Sequence, residues 1–369
     1  MAGQAISDTM MIGIMVIQRL FKKAVSLLVI GLLCACNVSQ ATPSPVIPTV
    51  SVIPTTSHFS ENESATLASL TQVDDHPLYT MRYYGEYASR RTSGLSAVTE
   101  AGPTPGWACS LFTVLLDDEH LLYGRNFDWQ FSPAILLFTD PPDGYASVSM
   151  VDIEYLGFNG QTVYNLTDLP LEELEGLLDA PLIPFDGMNE HGLAIGMAAV
   201  PDGDMQADPT RKTIGSLGIM REILDHARDV DEAVTLIEHY NIDFEGGPPI
   251  HYLIADANGK SVLVEFYRGE MTVIGNEQPW HSATNFLRSS VDDPKDGNCW
   301  RYDRINARLN DTKGLLDSSS AMDLLADVAQ ENTQWSVVYQ MAQAEVSIAM
   351  GRDYSKVQTF RVADYLNPR

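Results

Sequence analysis

The order of short apolar runs along the chain constrains its fold most strongly. Runs typical of β-strands come first, at 111–116, 121–123, 135–139 and 147–155. A short surface helix at 171–178 and two longer helix-type segments at 214–226 and 230–239 follow. Strand-type runs return at 252–255 and 261–266 around Asn258-Gly259, then helices at 302–309 and 319–330 and a hairpin at 335–350. This order predicts an α+β fold in which helices cover stacked antiparallel sheets.

The first 60 residues are not typical of a folded domain. Arg19, Lys22 and Lys23 precede the apolar run 24–33, the pattern of an export signal that is too short to span a bilayer. The run ends in Leu33-Cys34-Ala35-Cys36, which resembles a bacterial lipobox with Cys36 as the lipidated residue. An ordinary signal peptide is the alternative. Residues 1–36 are therefore predicted to be a signal peptide with lipobox, and the Pro-, Thr- and Ser-rich residues 37–60 a linker.

Charge and cysteine content narrow the functional class. The formal net charge of −26 argues against a nucleic-acid partner, because phosphate contacts need a basic surface. Four cysteines, two of them in the signal segment, do not make a disulfide framework. The histidines lack the close spacing of a metal site, so neither a metal nor another cofactor is expected.

Cys109 is the residue whose surroundings are most suggestive of chemistry. The Gly- and Pro-rich residues 102–106 break regular structure directly before it, so that the cysteine opens a new strand. Arg125 and Asp128 end the next strand and can fold back beside it, where an Arg favours the thiolate and an Asp orients an ammonium group. Taken alone, these residues fit a surface ion pair and a buried, hydrophobic cysteine better than a catalytic site.

Several motifs in order resemble those of the cysteine N-terminal-nucleophile hydrolases, the group of bile salt hydrolases, penicillin V acylases, related acyltransferases and acid ceramidases. Cys109 is followed by Gly124-Arg125-Asn126-Phe127-Asp128 and then by Gly187-Met188-Asn189-Glu190-His191-Gly192-Leu193. A strand, turn and strand from His251 to Glu265 lead to Thr284-Asn285 and Arg301. The resemblance implies a four-layer αββα sandwich of the N-terminal nucleophile hydrolase type.

The resemblance also implies a role for each matching residue. Cys109 is the nucleophile, Arg125 stabilises its thiolate, and Asp128 holds its amine. Asn285 and the backbone N–H of Ala199 form the oxyanion hole, and Arg301 completes the polar network. Many bile salt hydrolases carry Asn where this chain has Ala199, which weakens an assignment to bile salts.

Enzymes of this kind expose the cysteine amine by cutting the chain before it. Here the cut falls between Ala108 and Cys109, so residues 61–108 are expected to be a pro-segment or small subunit and 109–369 the amide hydrolase domain. The aromatic strand at 78–87 favours a small subunit that stays paired with the larger chain without a covalent bond, as in acid ceramidases.

The sequence therefore predicts hydrolysis of a linear, non-peptide amide C–N bond in an N-acylated small molecule, through a Cys109 thioester. Acyl transfer from the same thioester and a non-catalytic lipoprotein that binds acylated ligands are the alternatives. The protein is expected in the bacterial cell envelope or secreted, in contact with membrane only through its lipid anchor. Bile salts, penicillin V, acyl homoserine lactones, N-acyl amino acids and ceramide-like amides all remain candidate substrates.

Overall fold

The structure is a computed structural model that describes residues 58–93, 108–244, 247–294 and 297–366. The predicted signal peptide, Cys36 and the linker up to Ser57 lie outside these residues. Within the described ranges, no helix has the length and apolar character needed to cross a bilayer.

The larger of two main sheets has nine strands in the order β1-β2-β5-β6-β7-β8-β11-β12-β13. Its strands are β1 Thr71–Asp74, β2 Leu78–Arg82, β5 Ala134–Thr139, β6 Ser147–Asp152, β7 Asp186–Asn189, β8 Ala194–Ala199, β11 Ile250–Ala255, β12 Ser261–Tyr267 and β13 Glu270–Gly275. Neighbouring strands are antiparallel except β2 and β5, which are parallel. Asn258 and Gly259 lie in the turn between β11 and β12, as predicted, with Gly259 at φ +83°.

The smaller main sheet has six antiparallel strands in the order β14-β3-β4-β15-β16-β17. They are β3 Ser110–Leu115, β4 Leu121–Asp128, β14 Trp280–Ala283, β15 Thr333–Gln340, β16 Glu345–Met350 and β17 Gln358–Arg361. A separate parallel pair joins β9 Lys212–Gly215 to β10 Tyr240–Asp243. The two predicted hairpins, β3 with β4 and β15 with β16, lie side by side in the six-stranded sheet.

The layers follow the order helix, sheet, sheet, helix. Helices α2 Gly218–His226 and α3 Val230–Glu238 pack on β7, β8, β11 and β12, and α4 Trp300–Thr312 and α5 Ser318–Asp327 pack on β3, β4, β14 and β15. The sheets meet through β3 against β8 and β11. Gly196 permits this close approach, since a Cβ there would lie 2.7 Å from the Tyr123 hydroxyl. The predicted four-layer αββα sandwich is confirmed.

The described residues 58–93 form an edge of the nine-stranded sheet. Helix α1, Glu61–Ala68, is capped by Ser60 and Glu63 in a capping box and leads into β1 and β2. Strand β2 is fully paired with β5, and the buried Tyr79 hydroxyl donates to the Val163 carbonyl at 2.7 Å. Folded structure thus begins well before Cys109, as the aromatic strand predicted.

Three sequence expectations for local structure are wrong. The helix expected from Ile214 begins at Gly218, because residues 212–215 instead pair with β10. The strand expected at 147–155 ends at Asp152, whose side chain caps a following 3₁₀ turn. The short surface helix expected at 171–178 is a longer 3₁₀ segment, Leu171–Leu182, whose leucines are largely buried.

Candidate active site

Cys109 lies directly before β3, at the point where the chain enters the six-stranded sheet. Its side chain is buried, and its backbone N–H donates to Asn285 Oδ1 at 2.6 Å. The preceding Ala108 N–H donates to the Asp128 carbonyl at 3.3 Å. Burial raises the pKa of the Cys109 thiol, and the positive charge of Arg125 opposes that rise. The thiol therefore needs a base before it can act as a nucleophile.

Arg125 lies opposite Leu111 in the pairing of β4 with β3, which brings its guanidinium to the thiol. Its Nη2 is 3.9 Å from Cys109 Sγ, and its Nη1 donates to the Phe185 carbonyl at 2.9 Å. Nη1 also forms an ion pair with Asp186, and neither side chain is exposed to solvent. The buried Asp186 carboxylate therefore compensates the positive charge of Arg125 and fixes the position of its guanidinium next to the thiol.

Asp186 was missed in the sequence analysis. Besides Arg125, its carboxylate accepts from Trp335 Nε1 at 3.2 Å and from the Tyr339 hydroxyl at 2.5 Å. Both donors come from β15 of the six-stranded sheet, whereas Asp186 opens β7 of the other sheet. Its position directly before the Gly187-Met188-Asn189 motif could have indicated a role in the site. Its ion pair with Arg125 becomes visible only in the fold.

Asp128, at the end of β4, is buried close to Cys109. Its Oδ1 accepts from the Thr333 hydroxyl. Its Oδ2 lies 4.0 Å from Arg301 Nη1 and has no hydrogen-bond partner among the described residues. Desolvation raises the pKa of this carboxyl to about 7, while Thr333 and Arg301 act in the opposite direction. A buried carboxylate oxygen that still has room for a hydrogen-bond donor is suited to hold an ammonium group.

Asn285 and Ala199 lie together on one side of Cys109. The Asn285 Nδ2 amino group donates a hydrogen bond to the Ala199 carbonyl at 2.7 Å. An amide NH₂ group has two N–H donors, and this hydrogen bond uses one of them. The Val200 N–H donates to Pro249, toward β11, so by strand alternation the N–H and C=O of Ala199 point away from β11. The Ala199 N–H therefore faces the same side as Asn285.

Arg301, in the first turn of α4, binds the backbone and side chains around Cys109. Its Nη1 donates to the Cys109 carbonyl and to Ser110 Oγ at 2.9 Å, and its Nη2 donates to Asn285 Oδ1 at 3.0 Å. It thus fixes the ends of β3 and β14 relative to each other. All six residues predicted for the site, Cys109, Arg125, Asp128, Ala199, Asn285 and Arg301, lie in this one cluster.

A cavity of about 470 Å³ opens above the thiol. One wall is aromatic, formed by Phe127, Trp129, Tyr155 and Phe185, whose rings contact one another at centroid distances of 5.2 to 6.3 Å. The strand pair β9 and β10 contributes other lining residues, including Ile214 and Asp243. Among the described residues no histidine lines this cavity, and none of the His, Cys, Asp and Glu side chains group to hold a metal.

Comparison with known proteins agrees with this architecture. Residues 109–285 match the family of linear amide C–N hydrolases, choloylglycine hydrolase family, and the match runs from Cys109 to Asn285. The resemblance of the sequence to cysteine N-terminal-nucleophile amide hydrolases is thereby confirmed. The family indicates a hydrolase of linear amides.

One similar solved structure supports the fold. A mutant of conjugated bile acid hydrolase from Clostridium perfringens is similar with a TM-score of 0.50 at 16% identity, over 69% of this chain and 93% of that chain. Penicillin V acylase from Agrobacterium tumefaciens has a TM-score of 0.45 at 14% identity, over 66% of this chain and 82% of that one. The first likeness shows the fold of the N-terminal nucleophile hydrolases.

A curated relative in sequence comes from Paramecium bursaria Chlorella virus 1. This uncharacterised viral protein is 32% identical over 101 residues, which make up 25% of this chain and 36% of the viral protein. The chain thus spans about a third of the length of this relative.

Replacing Asp186 by Asn tests the buried ion pair. The variant leaves the Arg125 guanidinium uncompensated in the core, so we expect the free energy of unfolding to fall by about 3–5 kcal/mol. Urea denaturation in a Cys109→Ala background measures this without interference from processing. The control Glu345→Gln removes the partner of the exposed Arg361 and should cost less than about 1 kcal/mol. Equal losses in the two variants would contradict the assignment.

Replacing Asp128 by Asn tests the raised pKa of that carboxyl. The Asp128 carboxyl has its ordinary pKa of 3.8 in the unfolded chain and a pKa of about 7 in the folded chain. Between these two pH values the folded state therefore binds more protons than the unfolded state. Stability contributed by the protonated carboxyl is therefore lost as pH rises from about 4 to 7. In the Cys109→Ala background, Asp128→Asn should gain about 2–4 kcal/mol relative to its parent over that range. A difference that does not change with pH would refute the raised pKa, and Asp323→Asn, at an exposed position, is the matched control.

Proposed function

We propose that the chain hydrolyses a linear, non-peptide amide C–N bond of an N-acylated small molecule, with Cys109 as nucleophile. The observation that carries the proposal is the position of the buried Cys109 thiol, next to Arg125, on the surface of a cavity with an aromatic wall. Such a cavity suits an apolar acyl group, and the thiol lies where the amide carbon of that group would be held.

The base for this reaction is proposed to be the α-amino group of Cys109 itself. No histidine lines the described part of the cavity, and the nearby Arg125 and Arg301 guanidiniums do not accept protons. A free α-amine has an ordinary pKa near ~8, which suits proton transfer at neutral pH. In the uncut chain this nitrogen already lies 2.6 Å from Asn285 Oδ1, a position that would orient the amine after cleavage.

Exposing that amine requires a cut between Ala108 and Cys109. We propose that the Cys109 sulfur attacks the Ala108 carbonyl and replaces the peptide nitrogen, which takes up the thiol proton and leaves as the α-amine. Water then hydrolyses the resulting thioester at Ala108, which releases the carboxylate of the small chain and restores the thiol. The order of bonds formed and broken is the same as in substrate turnover.

During turnover the amine takes the thiol proton as sulfur attacks the substrate carbonyl. The oxyanion that forms would receive hydrogen bonds from Asn285 Nδ2 and the Ala199 N–H, which face the same side of the site. The Cys109 ammonium, held by Asp128, then gives its proton to the leaving amine. Water resolves the acyl thioester in the second half of the reaction.

Activity is best tested with N-acyl amides that differ in their acyl group, including the conjugated bile acid and penicillin V substrates named for the structural neighbours. We expect the purified protein to release the free amine from at least one, and Cys109→Ala to lower that rate by about 10⁴-fold or more. Liquid chromatography with mass detection measures both products. Cys299→Ala, which removes a part-buried thiol, serves as control and should retain activity.

Two other outcomes of this assay have distinct meanings. Transfer of the acyl group to an added amine in preference to water would assign acyl transfer. Binding of acyl amides with equal affinity by wild type and Cys109→Ala, with no product from either, would instead assign a ligand-binding protein.

We further propose that the two chains produced by the cut stay together. The small chain would keep β2 paired with β5 and Tyr79 buried. Two polar contacts add to this interface: the Tyr87 hydroxyl donates to Asp225 at 2.7 Å, and Arg90 binds Asp179 at 2.9 Å. Removal of an edge strand would expose the apolar residues beneath it to water.

Size-exclusion chromatography followed by a denaturing gel tests this pairing. We expect one native peak that resolves into two bands for wild type and a single band for Cys109→Ala. Active wild-type protein that remains a single band would refute the cut, and two separate native peaks would refute the pairing.

Export and lipid anchoring are proposed from the sequence alone. The basic residues, the apolar run and the Leu33-Cys34-Ala35-Cys36 segment support modification at Cys36. Expression in a bacterium with an alkyne-tagged fatty acid should label the full-length protein and Cys34→Ala, but not Cys36→Ala. A secreted protein without label would assign an ordinary signal peptide.

A further inference from the structure

A buried carboxylate outside the proposed mechanism binds the turn that follows Asn285. Glu265, in β12, has a side chain without solvent exposure, and both of its carboxylate oxygens accept hydrogen bonds from main-chain N–H groups. Oε1 accepts from the N–H of Arg288 and Oε2 from the N–H of Ser289, each at 2.8 Å. An ionised acceptor on two adjacent N–H groups holds a turn more strongly than a neutral one.

His251, in β11, supports this carboxylate from the neighbouring strand. Its Nδ1 lies 3.2 Å from Glu265 Oε1, and neither side chain is exposed. Burial acts to raise the pKa of Glu265, but its hydrogen bonds with His251 and Ser289 bring that pKa below its ordinary value. Glu265 is therefore ionised at neutral pH, in the form that accepts from both N–H groups.

The Arg288 side chain gives the same turn a second attachment. Its Nη1 donates to His281 Nε2 at 2.6 Å, and His281 Nδ1 is 3.2 Å from the Ser261 hydroxyl. Burial and the positive charge of Arg288 lower the pKa of His281 to about 3, so the imidazole is neutral and can accept this hydrogen bond. Leu287 is buried as well. Main-chain, side-chain and apolar contacts thus all fix the turn.

The distance along the chain from this turn to Asn285 is short. Two residues separate Asn285 from Arg288, so little conformational freedom lies between the amide side chain and the anchored turn. The N–H of Phe286 donates to the Thr284 carbonyl at 3.0 Å, which makes the segment more compact. Loss of the Glu265 contacts would therefore shift the Asn285 amide.

We propose that Glu265 is a positioning residue, which holds the Asn285 amide where it can stabilise the oxyanion. The inference rests on the proposed function and adds to it a residue that does not line the cavity. An oxyanion donor acts mainly on the transition state, so its displacement lowers kcat and kcat/KM together and leaves KM nearly unchanged.

Amide hydrogen exchange tests the positioning without any need for activity. The N–H at position 109 donates to Asn285 Oδ1 at 2.6 Å, so its protection reports where Asn285 lies. In the uncut Cys109→Ala chain, we expect Glu265→Gln to raise the exchange rate at position 109 by about tenfold, because the single amide oxygen of Gln accepts from only one of the two N–H groups. Mass spectrometry with single-residue fragmentation measures this rate, and exchange in β15 corrects for any change in global stability.

Asp256→Asn is the matched control for Glu265→Gln. Asp256 is also buried, and its carboxylate accepts from the N–H groups of Val230 and Asn258, each at 2.9 Å. It follows β11 at the end opposite to Ile250, which lines the cavity. The control should leave exchange at position 109 within about twofold of its parent, since distant sites act independently.

Kinetics with intact Cys109 test the consequence for the reaction. With penicillin V, a conjugated bile acid and N-lauroylglycinamide as probes, Glu265→Gln should lower kcat and kcat/KM by about ten- to a hundredfold and change KM by less than about threefold. Rates are normalised to the amount of cut chain found by intact-mass analysis. Glu265→Asp, which keeps the charge but is shorter, should give an intermediate kcat and carries the test if Glu265→Gln folds poorly. Asp256→Asn should keep kcat within about twofold.

The outcomes separate this inference from the proposed function. Unchanged exchange at position 109 in the Glu265 variants overturns the positioning role, whatever the activity of the protein. Raised exchange with a kcat equal to that of wild type overturns the contribution of Glu265 to the reaction. Failure of wild type to cleave any amide overturns the proposed function and the catalytic part of this inference, while exchange at position 109 still decides whether Glu265 holds Asn285.

Discussion

The ion pair between Arg125 and Asp186 joins the two sheets next to the Cys109 thiol. Arg125 comes from β4 of the six-stranded sheet and Asp186 from β7 of the nine-stranded one, and both are fully buried. Two buried charges are costly unless their geometry is well fixed, and here Trp335 and Tyr339 saturate the carboxylate. The contact that joins the two sheets therefore also sets the position of the Arg125 guanidinium beside the Cys109 thiol.

In the proposed mechanism, the site around this pair holds Cys109 in a form that is not yet active as a nucleophile. Burial keeps the pKa of the Cys109 thiol raised, and Arg125 only partly offsets this. The nitrogen of Cys109 is an amide donor in the uncut chain, bound to Asn285, and becomes a base only as a free amine. In the proposed mechanism, Asp128 Oδ2 lies 4.0 Å from Arg301 and accepts a hydrogen bond from the Cys109 ammonium group that forms during turnover.

Much of this architecture follows from residue patterns, and the remainder depends on contacts between distant segments. Strand periodicity and the Asn258-Gly259 turn predict the sheets, and ordered motifs predict Cys109, Arg125, Asp128, Ala199, Asn285 and Arg301. Asp186 was missed because a lone acidic residue before a strand has no local signature of its partner. Helix α2 was predicted too long because Ile214 fits a helical face equally well, and only pairing with β10 makes it a strand residue.

The mass of the protein trapped during turnover tests the central claim most directly. Acid quenching of the reaction with a cleaved N-acyl amide, followed by intact-mass analysis, should reveal a chain that begins at Cys109 and carries one acyl group. Hydroxylamine should remove that group, as expected for a thioester, and Cys109→Ala should show neither the cut nor the adduct. An active, uncut chain without an acyl adduct, or an adduct that persists in Cys109→Ala, would contradict the account.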